Sequence, residues 1–249
     1  TIGSYGTGRA TITRNTGTVV EIANQGGITV QDLIITSTGT SWAGLLAYND
    51  LSGGVRKDKL VIQRVLVTGA TTAGILVGGN NGTSGWKGLL ISNCIVHDGT
   101  GSGIETYGNL ASRSITGVTI RSCKTYNCGR DGILVGGASG ALVEYCEAYN
   151  CGGSADARVG IWMYHTDNGI IRYCESHHNV TPGTGDGGGF DIDGGCTNCR
   201  IEYCYSHDNE GGGFMAFAFS GSGGITNAVI RYCISENDGS VGFQYGGLS

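Results

Sequence analysis

Six cysteines recur at Cys94, Cys123, Cys146, Cys174, Cys204 and Cys233, separated by 29, 23, 28, 30 and 29 residues, and each sits in a similar setting. The segments "VTIRSCKTYNCGRDGILVGG" from Val118, "IIRYCESHHN" from Ile170, "RIEYCYSHDNEGGGFMAF" from Arg200 and "VIRYCISENDGSVGFQYGG" from Val229 are copies of one unit. Further copies start at Leu89 and Leu142, and a weaker one at Leu60. A unit this short cannot bury a core alone, so the copies must stack and share one.

Within each unit, apolar and polar residues alternate over two short segments separated by Gly- and Asn-rich turns. Alternation at period two reads as strand. The 48 glycines and single proline among 249 residues rule out long helices and collagen. A hydrophobic fraction of 39% argues against disorder. The prediction is an all-β, right-handed parallel β-helix of eight or nine coils, each rising ~4.8 Å, as one domain over residues 1–249. A propeller blade would need roughly 40 residues and four strands.

Stacking turns the repeat into columns. The anchor cysteines point inward among Ile and Val as small hydrophobes. Four residues on, Asp98, Asn127, Asn150, His178, Asp208 and Asn237 mark a turn. Two residues before the anchors, Arg121, Glu144, Arg172, Glu202 and Arg231 alternate in sign, a ladder of structural ion pairs. Tyr145, Tyr173, Tyr203 and Tyr232 form a stacking ladder beside it. Cys128 and Cys151 hold matching turn positions in adjacent coils, where a disulfide bridge fits. Cys196 and Cys199 read as turn cysteines open to bridging; no second ligand pair nearby suggests zinc.

Aligning Gly44, Gly74, Gly103, Gly132, Gly160, Gly189, Gly213 and Gly242 defines two outward columns. The first holds Leu46, Leu76, Glu105, Leu134, Trp162, Asp191, Met215 and Gln244. The second holds Tyr48, Gly78, Tyr107, Gly136, Tyr164, Asp193, Phe217 and Gly246. Asp191 and Asp193 therefore project side by side on a solvent face, with Ile192 turned inward between them. Trp162 and Tyr164 lie one coil below, and Met215 and Phe217 one coil above. Outward aromatics mark a binding surface, and flat rings stack on sugars. Paired carboxylates are the equipment of glycoside hydrolysis, one neutral and one ionised. Asp191 and Asp193 are thus the candidate catalytic pair. Trp162, Tyr164, His165, Glu105, Tyr107, Met215 and Phe217 are candidate substrate contacts. With backbone carbonyls, Asp186, Asp191 and Asp193 are also a candidate calcium site. His177 and His207 share an outward position in adjacent coils, ~4.8 Å apart. They are candidate substrate contacts too, or a general acid/base or metal pair, with Glu175 and Glu236 nearby.

A net charge of −5 with no basic stripe argues against nucleic acid. No apolar run approaches the roughly 20 residues that span a membrane. The partner expected is a polysaccharide.

From about residue 26 onward, these repeats resemble the right-handed parallel β-helix family of carbohydrate-active proteins, which includes pectate and alginate lyases, mannuronan epimerases and polygalacturonases. The segment Gly189-Phe190-Asp191 resembles the opening of the epimerases' G-F-D-P-H-E motif, with Ile192, Asp193 and Gly194 in place of P-H-E. Polygalacturonases use neighbouring aspartates on this kind of face, and D-x-D is similar. Lyases of this fold need a Lys or Arg as base. Lys57, Lys59, Lys87 and Lys124 are absent from both columns, though Arg158 lies just before Trp162. The resemblance implies a secreted, extracellular or periplasmic protein that hydrolyses or binds a polysaccharide, ahead of a lyase or epimerase, with a structural scaffold as the further alternative. The last coil strand, "GFQYGGLS", carries no polar cap. The chain is therefore expected to be part of a longer protein, or to pair its ends with another segment or subunit.

Overall fold

The computed structural model describes the chain except residues 80, 154–157, 182–185, 240–242 and 247–249; for 243–246 only the backbone is described. It is a parallel β-solenoid of about 8 turns, with no helix among the described residues. Every strand pairing is parallel, as stacking coils require.

Three faces wrap the core. The first is a sheet running through Arg56–Gln63, Gly85–Ser92, Ile115–Arg121, Leu142–Glu144, Ile170–Arg172, Arg200–Glu202 and Val229–Arg231. The second stacks the short strands after the anchors, among them Lys124–Cys128, Glu147–Tyr149, Glu175–His177 and Tyr205–His207. The third stacks the strands opened by the aligned glycines: Ala73–Gly78, Ser102–Tyr107, Ile133–Gly136, Val159–Tyr164, Gly188–Asp193 and Phe214–Phe217. The long strand Leu33–Tyr48 pairs with both Leu66–Thr68 and Ala73–Gly78, joining the second and third faces.

Inward residues of all three faces fill the interior, including Ile62, Ile91, Ile120, Ile133, Ile161 and Ile201, each fully buried. Phe190 and Phe214 stack there with ring centroids 5.0 Å apart. Cys94, Cys123, Cys146, Cys174 and Cys204 are buried as expected, and Cys233 partly so. All ten cysteines are free thiols, including Cys128 and Cys151, so no bridge forms at that turn. Cys196 and Cys199 are interior residues, 0% and 1% exposed, rather than turn cysteines. Their thiols donate to the carbonyls of Met163 and Thr166.

Each corner has its own chemistry. The residues from Asp98 to Asn237 at the turn after the second face adopt positive φ, from 50° to 54° for Asn127, Asn150 and His178. Asn and Asp tolerate that region better than most residues. Asn127 donates to Asp98 at 2.8 Å and Asn150 to Asn127 at 3.3 Å, tying coil to coil. The third face opens on glycine because the chain bends tightly over the second. A Cβ at Gly44 would lie 2.3 Å from Val67 Cγ1, and one at Gly160 would lie 1.9 Å from Ser176 Oγ. The sign-alternating ladder is present, with Arg172 on Glu144 at 2.7 Å and Arg231 on Glu202 at 2.6 Å. Tyr145, Tyr173, Tyr203 and Tyr232 stack at 5.1–5.3 Å.

Candidate active site

The third-face register matches the two expected columns. Leu76 pairs with Glu105, Glu105 with Leu134, Leu134 with Trp162, Trp162 with Asp191 and Asp191 with Met215. Asp193 pairs with Phe217, and Tyr107 with Gly136. Columns fix direction but not exposure. Asp191 is 2% exposed, Asp193 8% and Met215 1%, so the pair does not stand on an open solvent face.

Residues of the third-face strands and of the turns beside them line a cavity of about 350 Å³: Arg158, Val159, Trp162, Asp186, Asp193, Phe217 and Phe219. Asp193 faces this space, and Asp186 joins it from the preceding turn. Asp191 and Met215 do not line it. Phe219, half exposed, stacks on Tyr164 at 6.1 Å, and Tyr164 meets His165 edge-on at 4.4 Å.

Asp131 was missed by the column reading, yet it anchors this region. It is 1% exposed and accepts hydrogen bonds from Trp162 Nε1 at 3.0 Å, the Val159 amide at 3.2 Å and Arg158 at 3.3 Å. It thereby fixes the indole and the only basic side chain lining the cavity among the described residues. A signal was available: Ala43, Ala73, Ser102, Asp131 and Val159 precede the aligned glycines, and Asp131 alone among them is charged.

The carboxylates form an electrostatic series. Burial, then the Asp131 charge, raises Asp186 above the ordinary range. Burial and Asp186 push Asp193 up to about 6, against the Gly194 amide that donates to it. Burial, then the charges of Asp193 and Asp186, push Asp191 well above the usual range. Asp191 Oδ1 is buried with no hydrogen-bond partner among the described residues. The shift favours the protonated form of Asp191, while Asp193 titrates near 6, in the mildly acidic range.

The other candidates scatter. Glu105 and Tyr107 lie lower on the third face, outside the cavity. Burial, then Asp131, raises Glu105, and burial first lifts Tyr107 to about 12. His165, at φ 44°, packs under Gly195 and 3.4 Å from Arg113; burial and that guanidinium lower its pKa. His177 and His207 stack at 4.6 Å, close to the expected spacing, but on the second face, away from the cavity. The tyrosine ladder also presents a stripe, but the ring faces of Tyr173 and Tyr203 are covered on both sides by their neighbours in the stack. That is a poor platform for sugar.

Among the described residues, His177, His178 and His207 form the group whose potential ligand atoms lie within 4.8 Å of one another; Asp186, Asp191 and Asp193 do not converge in this way.

The sequence matches the profile of the right-handed β-helix region over residues 48–249. The chain belongs to this right-handed β-helix family. No curated protein matches it. Among solved structures, the enzymatically active domain of bacteriophage CBA120 tailspike protein 2 is similar, with a TM-score of 0.71 and 14% identity, covering 98% of this chain and 38% of that one. The lacto-N-biosidase of Eubacterium ramulus, as its selenomethionine derivative, has a TM-score of 0.64 and 16% identity, covering 88% of this chain and 43% of that one. At these identities the likeness is one of fold. This β-helix spans less than half the length of either structure.

Proposed function

We propose that this β-helix is a glycoside hydrolase acting on a polysaccharide in the third-face cavity. The observation that carries the reading is Asp193, a carboxyl near 6 in a space walled by Trp162, Phe217 and Phe219. Aromatic walls give sugar rings flat surfaces, and Arg158 and Asp186 supply polar contacts. The comparison with a lacto-N-biosidase fold supports a carbohydrate ligand by analogy of fold alone.

Below about 6, Asp193 carries the proton that a glycosidic oxygen needs as the C–O bond breaks. Asp186, the other carboxyl lining the cavity, is in its ionised form the carboxylate available to water or the anomeric carbon. Water then supplies hydroxyl to that carbon, and its proton returns through the carboxyl pair. Asp191, buried outside the cavity lining on the same strand as Asp193, is a positioning residue. Polysaccharides are met outside the cytoplasm, so this reading carries with it an extracellular or periplasmic protein. Arg158 is engaged by Asp131 at 3.3 Å, and no lysine or histidine lines the cavity among the described residues, which favours hydrolysis over elimination.

Incubation with a panel of neutral and acidic polysaccharides tests this. New reducing ends without unsaturated products are expected. Unsaturated products would make it a lyase, and saturable binding without cleavage would make it a binding module.

A further inference from the structure

The second face carries a feature that the hydrolase reading does not use. Its outward column runs His97, Tyr126, Tyr149, His177 and His207, stacked at 4.6–5.0 Å. Within it, Glu147 lies 3.4 Å from His177 Nε2 and Glu175 lies 3.0 Å from His207 Nε2. Both imidazoles therefore turn Nε2 to a carboxylate and Nδ1 to the corner of the coil. There, His177 Nδ1 is 2.8 Å from His178 Nδ1, and His207 Nδ1 is 2.8 Å from Asp208 Oδ2. His178 Nε2 lies 3.9 Å from the same Asp208 oxygen.

The geometry points to a divalent transition-metal site of zinc type, with His177, His178 and His207 as ligands and Asp208 beside them. Three considerations lead there. The three imidazoles place ligand atoms within 4.8 Å of one another. A tetrahedral ion with Zn–N of ~2.0–2.1 Å holds its nitrogens roughly 3.4 Å apart, so modest side-chain closure suffices. Carboxylates on the far nitrogens of two of them form the carboxylate–histidine arrangement that orients metal-binding imidazoles and raises their basicity.

The second consideration is proton accounting. A neutral imidazole has one N–H, yet both nitrogens of His207 face carboxylate oxygens. One of these contacts needs an added proton or a cation, and a metal at Nδ1 satisfies it. The third is an interruption in the corner ladder. Amide side chains link Asn150 to Asn127, Asn127 to Asp98 and Asn237 to Asp208. Between the coils of His178 and Asp208 an imidazole and a carboxylate stand where an amide bond would. An ion there ties the same two coils together. An all-imidazole and carboxylate set suits zinc, nickel or copper(II), and lacks the six to eight oxygens that calcium takes.

Titration of the full chain with cobalt(II), a spectroscopic stand-in for zinc, tests the site. One equivalent is expected to give the visible bands of a four-coordinate nitrogen and oxygen site, displaced by zinc, without thiolate charge-transfer bands. His178→Ala, at an exposed corner position, should weaken binding at least about 10-fold, and Glu175→Gln about 10-fold through the oriented His207. Both should keep the wild-type β circular dichroism, and His97→Ala should bind as wild type. The proposal fails if no bands form up to about 1 mM cobalt, if thiolate bands show the cysteines to be the ligands, or if folded His178→Ala binds unchanged.

Discussion

At the scale of single residues, Asp191 combines burial with an unsatisfied polar atom. It is 2% exposed, and its Oδ1 has no partner among the described residues. A buried acceptor left unsatisfied costs about 1–3 kcal/mol. Its folded pKa lies well above the ordinary value, from burial first and then from Asp193 and Asp186. The protonated form is thus favoured by folding. That contribution is fully present below the unfolded carboxyl pKa of roughly 4 and is lost as pH rises through the folded value. Asp191→Asn keeps the shape and cannot ionise. It should melt higher than wild type at pH 8, by about 2–4 °C per kcal/mol gained, and the gap should close towards pH 4. A melting temperature at pH 8 below that of wild type would show that the ionised carboxylate is satisfied in the fold. Stability gained by removing a site carboxyl is the usual trade between folding and function.

At the scale of elements, two aromatic stacks do different jobs. Phe190 and Phe214 lie in the closed core at 5.0 Å, both 0% exposed. Tyr173 stacks between Tyr145 and Tyr203 at a corner and is 44% exposed. Phe190→Ala should cost about 3–5 kcal/mol through the cavity it leaves. Tyr173→Ala breaks two stacked pairs and should cost about 1–3 kcal/mol, at about 0.5–1.5 kcal/mol per pair. Urea unfolding of both variants measures the difference, and equal costs would mean that the corner ladder carries core packing. The strands were legible because alternation and the recurrent Gly fix register in any stacked coil, down to Trp162 beside Asp191 and Asp191 beside Met215. Exposure was not legible. It depends on corner segments such as those bearing Asp186 and Phe219, whose paths follow no period. Asp131 escaped because it stands just before the aligned glycine, outside the two outward columns, and the interior setting of Cys196 and Cys199 is a matter of how tightly that corner closes.

At the scale of the whole molecule, one scaffold carries two unlike surfaces. The third face encloses an acidic, aromatic cavity, while the second displays a stacked ladder of imidazoles and phenols. Because each coil contacts mainly its neighbours, a column can change character over two or three coils without disturbing the rest. The acidic interruption at Asp191 and Asp193 is such a change, and the central claim is that it makes this coil the place of glycosidic cleavage. Release of reducing ends as a function of pH, measured for wild type and Asp193→Asn on a polysaccharide the protein cleaves, tests it most directly. Wild-type activity should fall as pH rises through about 6, where Asp193 loses its proton. Asp193→Asn should lose about 100-fold or more in rate at every pH. A variant that keeps the wild-type rate and the wild-type pH profile would contradict the account.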